Sequence, residues 1–201
     1  MPSYIYPQDA GVGLAERFPQ WAAGYEEWLG IVSGAQPLAS LRALRTPPRP
    51  SGPRLFVSHR QADGPFALRI AYLASLGGFE YWVDLLDPML QAGSPCASQP
   101  LFAAAVIEMA LANCTHIIAV MTPQTRGSLW VPYEYGRILE AAASPRPAGS
   151  WLHVQFVGLP EYLLFGEMTK TEADITAWLQ RELGGPAPSQ PWTGGPTTPL
   201  P

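Results

Sequence analysis

Residues 101–123 read "LFAAAVIEMALANCTHIIAVMTP", and this stretch joins two patterns that together define a class of fold. Its first part, residues 101–114, is apolar and rich in alanine and predicts a helix. The second part, "THIIAVMTP" (115–123), is continuously apolar, as is typical of a strand buried on both faces of a sheet. A helix that leads directly into a buried strand indicates an α/β protein.

The alternation of strand and helix continues on both sides of this stretch. The predicted elements are strand 54–59, helix 64–78, strand 79–84, helix 101–114, strand 115–123, helix 128–143, strand 150–159 and helix 170–183. Strands separated by single helices imply right-handed crossovers and parallel pairing. We therefore expect a flavodoxin-like open parallel sheet with helices on both faces.

Proline-rich and glycine-rich segments divide the chain into three parts. Residues 46–53, "TPPRPSGP", cannot continue a helix or enter a central strand and predict a linker. We expect an N-terminal helical extension and linker at 1–50, an α/β domain at 51–184 and a flexible Pro/Gly-rich tail at 185–201. Four aromatic residues of the extension fall at helical spacing, namely Phe18, Trp21, Tyr25 and Trp28.

Composition excludes several classes of function. The chain has 201 residues, of which 47% are hydrophobic, enough for one core with extensions. A net charge of −4 without a basic run argues against nucleic-acid binding. The cysteines, Cys96 and Cys114, form no metal-spaced cluster, so we expect no metal. The N-terminus lacks a signal-peptide pattern and no stretch approaches the ~18 apolar residues of a membrane span, so we expect a soluble cytoplasmic protein that does not contact membranes.

The ligand site of such a fold is expected outside the carboxyl ends of the strands. Three loops meet there in the predicted topology: "SHRQAD" (58–63), "DLLDP" (84–88) and "TPQTRGSLW" (122–130). "GVGLAE" (11–16) precedes the sheet and lacks the third glycine of a dinucleotide fingerprint. Ser58 and His59 are strand neighbours whose side chains point to opposite faces, which argues against a serine hydrolase.

The most notable residue is Glu134, which stands among aromatic side chains in "SLWVPYEYGR" (128–137). Trp130 lies four residues before it, on the same helical face, and Pro132 is tolerated only near the first turn. The helix dipole should therefore favour the ionised carboxylate. In a crevice shared with Asp84 and Arg60, that carboxylate suits a reaction that develops positive charge, such as N-glycosidic cleavage. From spacing alone, the simpler interpretation is a surface glutamate on an amphipathic helix.

Four segments, taken together, resemble the conserved boxes of TIR (Toll/interleukin-1 receptor) domains, particularly bacterial ones. They are "LFVSHRQAD" (55–63), "GFEYWVD" (78–84), "CTHIIAVMTP" (114–123) and "SLWVPYE" (128–134), and the resemblance spans about residues 54–183. Enzymatic members of the family cleave NAD at the nicotinamide–ribose bond with a glutamate in W-x-x-x-E, which corresponds to Glu134. The resemblance implies substrate contacts from Ser58, His59, Arg60, Trp82, Asp84 and Trp130, with NAD as substrate and no further cofactor.

This chain departs from the family pattern in the first box. His59 and Gln61 stand where a tyrosine or a second arginine is common. The residues also leave simpler roles open: Arg60 pairing with Asp63, Asp84 capping the following loop, and His59 serving as a hydrogen-bonding residue at a strand end.

The resemblance leaves the product and the control of the reaction open. Bacterial TIR proteins of this size resemble components of anti-phage defence systems, which deplete NAD or make a cyclic or modified ADP-ribose signal. We expect activation by self-association into an oligomer or filament, with the long loop at 85–100 in the contact, and a separate sensor or effector protein as a further partner. The alternatives are a non-enzymatic TIR adaptor and an enzyme resembling the nucleoside deoxyribosyltransferases.

Overall fold

The computed structural model describes residues 53–87, 90, 100–141, 147–183 and 197–201. The N-terminal extension with its predicted helix, most of the 85–100 loop and residues 184–196 lie outside the described residues. The described strands form one parallel sheet in the order β2-β1-β3-β4-β5. The predicted α/β class with a flavodoxin-like parallel sheet is confirmed.

The bounds of the elements follow the predicted alternation. The strands are β1 (Arg54–Ser58), β2 (Glu80–Trp82), β3 (His116–Met121), β4 (Ala148–Leu152) and β5 (Glu167–Thr169). The helices are α1 (Gly64–Leu76), α2 (Pro100–Asn113), α3 (Trp130–Ala141) and α4 (Glu172–Leu183). Helix α1 packs against α4, and α2 packs against α3, so helices pair on both faces of the sheet.

The centre of the sheet forms the core. Every residue of β1 and β3 is buried, and Leu55 pairs with His116 to fix the register between these strands. Helix α3 packs against β3, and the Trp178 ring of α4 lies edge-on to His116 at the start of this strand, which agrees with the continuous apolar run of 115–123. No helix within the described parts of the chain is long and apolar enough to cross a membrane.

The fourth strand differs from the prediction. The predicted strand 150–159 is wrong in its bounds, because β4 runs from Ala148 to Leu152 and the chain then turns away. Its first residues, Ala148 and Gly149, have low strand propensity and gave no signal. A Cβ at Gly149 would lie 3.3 Å from Ile118 Cγ1 and 3.4 Å from the Trp178 ring, so β4 packs closely against its neighbours at this position.

A fifth strand was missed. Strand β5 has three residues and follows a short 3-10 helix, Glu161–Phe165, so neither its length nor its surroundings produced a strand pattern. It pairs with β4 through Gly149 and Glu167 and extends the sheet by one parallel strand.

The end of the tail also differs from the flexible segment that was expected. Residues 197–201 lie against the domain, where the Leu200 N–H donates to Glu172 Oε1 at 2.7 Å. Arg69 on α1 holds the same carboxylate through two hydrogen bonds of 2.8 Å and also donates to Thr197 Oγ1 at 3.3 Å. The segment is therefore anchored where α1 and α4 meet.

Candidate active site

Glu134 lies inside the protein, in the second turn of α3. Only 6% of its surface is accessible to solvent. The hydroxyl of Ser58, the last residue of β1, donates a hydrogen bond of 2.5 Å to Glu134 Oε2. The packing of α3 on β1 therefore brings a helix carboxylate to the carboxyl end of a central strand, where this class of fold binds ligands.

A small cavity of about 20 Å³ opens beside this carboxylate. It is lined by Phe56, Val57, Ser58, His59, Trp82, Asp84, Ile107 and Glu134. Such a volume accommodates about one water molecule. The structure therefore brings Ser58, His59, Trp82 and Asp84 of the predicted set together around Glu134.

Two aromatic rings form the apolar wall of the cavity. Trp82 stacks on Phe56 with ring centroids 4.7 Å apart, and its Nε1–H donates to Asp87 Oδ2 at 3.0 Å. Asp87 is completely buried, so this bond holds the indole in place. Sequence reasoning missed Phe56, Ile107 and Asp87, because each belongs to an apolar run or an acidic loop that has no distinctive pattern of its own.

His59 and Asp84 form the polar rim. His59 Nε2 lies 3.3 Å from Asp84 Oδ1, and His59 Nδ1 lies 3.3 Å from the carbonyl oxygen of Val57. Both ring nitrogens of His59 thus face oxygen acceptors, and the imidazole is oriented between β1 and the start of the 84–88 loop. A second carboxylate, that of Asp84, is brought close to Glu134.

Burial controls the charge of Glu134. Its pKa is raised from 4.5 to about 7 as the net result of three effects: loss of solvent raises it most, the hydrogen bond from Ser58 lowers it, and the negative charge of Asp84 raises it. The expected effect of the helix dipole is outweighed, because Glu134 lies beyond the first turn and desolvation is the larger effect on its pKa. A carboxyl group with this pKa exchanges a proton near neutral pH.

Two of the predicted contact residues do not line the cavity. Trp130 begins α3, is 45% exposed and packs edge-on against Tyr133 with ring centroids 5.9 Å apart. Arg60 is exposed beside the short 3-10 turn Gln61–Asp63. The indole of Trp130 therefore does not form the wall of the cavity beside Glu134, and the indole of Trp82 forms it instead.

The third loop lies next to the cavity and supports the first loop. Thr122 Oγ1 lies 2.9 Å from each carboxylate oxygen of Asp63, which is 2% exposed. Burial raises the pKa of Asp63, whereas the bond from Thr122 lowers it. The topology predicts that the 122–130 loop lines the cavity together with the other two loops, but no residue of this loop is among the cavity lining. The loop instead fixes the turn that follows His59.

Helices α2 and α3 are tied together beside the site. The Tyr133 hydroxyl donates to Glu108 Oε1, and Arg137 Nη2 lies 3.2 Å from Glu108 Oε2. Glu108 follows Ile107, so these bonds position one apolar wall of the cavity relative to Glu134. Among the described residues, no three His, Cys, Asp or Glu side chains are grouped as a metal ion would require.

No known family model matches the sequence, and no curated protein is detectably similar to it. The chemistry of the cavity is therefore the observation that bears on function.

Proposed function

We propose that this chain is a TIR-type enzyme that cleaves the nicotinamide–ribose bond of NAD, with Glu134 as the catalytic carboxylate. The observation that supports the proposal most is a buried carboxylate at the carboxyl edge of the sheet, hydrogen-bonded by Ser58 and accompanied by Asp84 in one cavity. The similarity of four sequence segments to TIR boxes supports the same assignment.

The chemical step needs Glu134 as a carboxylate. When the C1′–N bond breaks, its electron pair neutralises the pyridinium nitrogen of nicotinamide and leaves positive charge on the ribose. A carboxylate in a site with little water stabilises that charge strongly. Water or a ribose hydroxyl then attacks C1′ and gives its proton to Glu134, whereas attack by a ring nitrogen of adenine moves the positive charge from the ribose to the base. Ser58 orients the carboxylate by donating to Oε2.

We further propose that the enzyme is controlled by the size of this cavity. A nicotinamide ring does not fit in about 20 Å³, so productive binding requires the cavity to widen. Asp84 lines the cavity and also begins the turn Asp84–Leu86, which leads into the loop at 85–100. We propose that contact between copies at this loop repositions the turn and opens the site.

The biological setting follows from the family resemblance. We place the enzyme in the cytoplasm, in anti-phage defence, with a separate sensor or effector protein as partner and with either NAD depletion or a cyclic or modified ADP-ribose signal as output. Depletion and signalling begin with the same bond cleavage and differ in the group that captures the ribosyl cation.

A second candidate function is a non-enzymatic TIR adaptor. Three neighbouring side chains at the start of α3 favour it, because Leu129 is 86% exposed, Trp130 45% and Tyr133 41%. Adjacent exposed apolar side chains of this size are typical of association surfaces. An adaptor would assemble through this surface without releasing nicotinamide.

Product analysis separates the two functions. Purified protein at high concentration is incubated with NAD in the presence of a crowding agent, and the products are identified by mass spectrometry. The enzyme releases nicotinamide with an equal amount of ADP-ribose or a cyclic product. Assembly detected by light scattering, with NAD left intact, would contradict the enzymatic proposal and favour the adaptor.

A further inference from the structure

A groove of about 840 Å³ lies on the same edge of the sheet as the Glu134 cavity, at the far side of β3. It is formed by the end of β4 and the residues that follow it, by β5 and Lys170, and by Pro201 of the tail, and its apolar walls include Leu152, Phe156, Leu159 and Met168. Its volume falls within the range of about 300–1,000 Å³ that small-molecule sites occupy. The apolar side chains around it are partly in water: Val154 is 82% exposed, Met168 43% and Leu159 41%.

The polar groups of the groove are basic. Lys170 and His153 line it, and none of the side chains that line it in the described part of the chain carries a carboxyl group. Arg126 lies at its rim, where Nη2 donates to the carbonyl of Val157 at 3.1 Å.

Both lining bases are held by the fold. The backbone of Lys170 is fixed on two sides, because its N–H donates to Asp174 Oδ2 at 3.1 Å and its carbonyl accepts from Trp151 Nε1 at 3.1 Å. His153 packs against the rings of Phe66 and Trp151, and its Nδ1 accepts the N–H of Gln155 at 3.1 Å. The neutral imidazole of His153 therefore carries its proton on Nε2, a donor that these contacts leave available.

We propose that this groove is a binding site for a small anionic amphipathic molecule, with an apolar or aromatic body and one carboxylate, sulfonate or phosphate group. The body displaces water from the exposed apolar walls, which is favourable in proportion to the area covered. The anionic group meets Lys170 and the Nε2–H of His153. Asp174 is exposed and accepts the N–H groups of Lys170 and Thr171 through Oδ2, and its negative charge also interacts with the charge of Lys170.

This site is independent of NAD cleavage. The groove is built from the ends of β4 and β5, whereas the Glu134 cavity is built from β1, β2 and α3. Binding of an anionic ligand in the groove can therefore be tested separately from nicotinamide release.

A matched pair of fluorescent dyes tests the proposal. Anilinonaphthalene sulfonate carries an aromatic body and one anionic group, and N-phenylnaphthylamine has the same body without the charge. Titration of the full chain with each dye gives the two Kd values. Leu159→Asp places a carboxylate on the exposed apolar wall and is expected to weaken both dyes by about tenfold or more. Lys170→Gln is expected to weaken only the sulfonate, by roughly three- to fivefold, as for one partly exposed ion pair.

Arg181→Gln is the matched control. It removes one positive charge from α4, where Arg181 Nη2 contacts Glu167 Oε1 outside the groove, and should leave both Kd values unchanged. Two outcomes overturn the proposal. If Leu159→Asp leaves both Kd values unchanged, the dyes bind elsewhere. If Lys170→Gln and Arg181→Gln affect the sulfonate equally, the groove does not recognise the anionic group.

Discussion

At the scale of single residues, Glu134 is the position where burial and chemistry oppose each other. Burial raises its pKa to about 7, yet the proposed reaction needs its negative charge. We predict that kcat/KM for NAD rises with pH and levels off above an inflection near pH 7, with a loss of about tenfold per pH unit below it. A rate of nicotinamide release that is flat between pH 5 and pH 8 would exclude an essential Glu134 carboxylate.

Neighbours of Glu134 should shift that inflection in opposite directions. Ser58→Ala removes the bond that lowers the pKa of Glu134, so the inflection should move to higher pH. Asp84→Asn removes the charge that raises this pKa, so the inflection should move to lower pH. Thr176→Ala deletes a hydroxyl on α4 that donates to the Glu172 carbonyl and should leave the profile unchanged. Shifts of the same sign in both site variants would contradict this electrostatic arrangement.

The same pKa predicts how stability depends on pH. Because folding raises the pKa of Glu134 above 4.5, the folded state binds the proton more tightly, and stability is lost as pH rises through about 7. Glu134→Gln removes this loss. Relative to wild type, the free energy of unfolding of the variant should therefore increase between pH 5 and pH 8, by up to about 3 kcal/mol. Denaturant unfolding at both pH values measures it, and a constant difference would contradict the cause assigned to the pKa.

Residue patterns predicted part of this site. The set of sequence boxes singled out Glu134, Ser58, His59, Trp82 and Asp84, which surround one cavity in the structure. The depth of Glu134 was not predictable, because helical spacing shows which residues share a face and leaves open which face meets the sheet. Trp130 shares the expected face but lies at the exposed first turn of α3.

At the scale of elements, the central strands of the sheet were easier to predict than strands β4 and β5 on one side of it. Strands β1 and β3 are buried throughout and have apolar residues at their centres, a pattern set by burial on both faces. Strand β4 begins at Ala148 and Gly149, and β5 is only Glu167–Thr169, so tertiary packing determines both. The helices have long periodic patterns, and the structure places their ends within a few residues of the predicted ends.

The connection between the turns after β1 and β3 is a polar contact that stabilises the edge of the sheet. Thr122→Val removes the donor to the buried carboxylate of Asp63 and should destabilise the protein by roughly 2 kcal/mol. Folding raises the pKa of Asp63, so stability falls as pH rises, and losing the donor strengthens that trend. The destabilisation should therefore be larger at pH 8 than at pH 4.

Thermal or denaturant unfolding at the two pH values measures this effect. Thr176→Val on α4 serves as the control, and its partly exposed hydroxyl should contribute less than about 0.5 kcal/mol. A Thr122→Val variant as stable as wild type at both pH values would show that the Asp63 contact does not hold the two turns together.

At the scale of the whole molecule, we propose that contact between copies opens the small cavity beside Glu134. Activity should then depend on assembly. Specific activity toward NAD should rise with protein concentration, together with the mass measured by light scattering. Met89→Glu in the 85–100 loop should weaken both, whereas Leu164→Glu, at a position 61% exposed elsewhere on the domain, should weaken neither. Leu90 is unsuitable for this test because it packs against the core. Full specific activity from a monomer at every concentration would contradict control by assembly.

The proposed role of Glu134 as the catalytic carboxylate in NAD cleavage is tested by comparing wild type with two glutamine variants. Nicotinamide release is measured for wild type, Glu134→Gln and the control Glu161→Gln, whose side chain is exposed on a 3-10 turn away from the cavity. All three proteins are assayed under the same assembling conditions, and their folding is compared by circular dichroism. We predict that Glu134→Gln lowers the rate by roughly 10²–10⁴-fold while Glu161→Gln keeps the wild-type rate. Equal nicotinamide release from wild type and Glu134→Gln would contradict the proposed role.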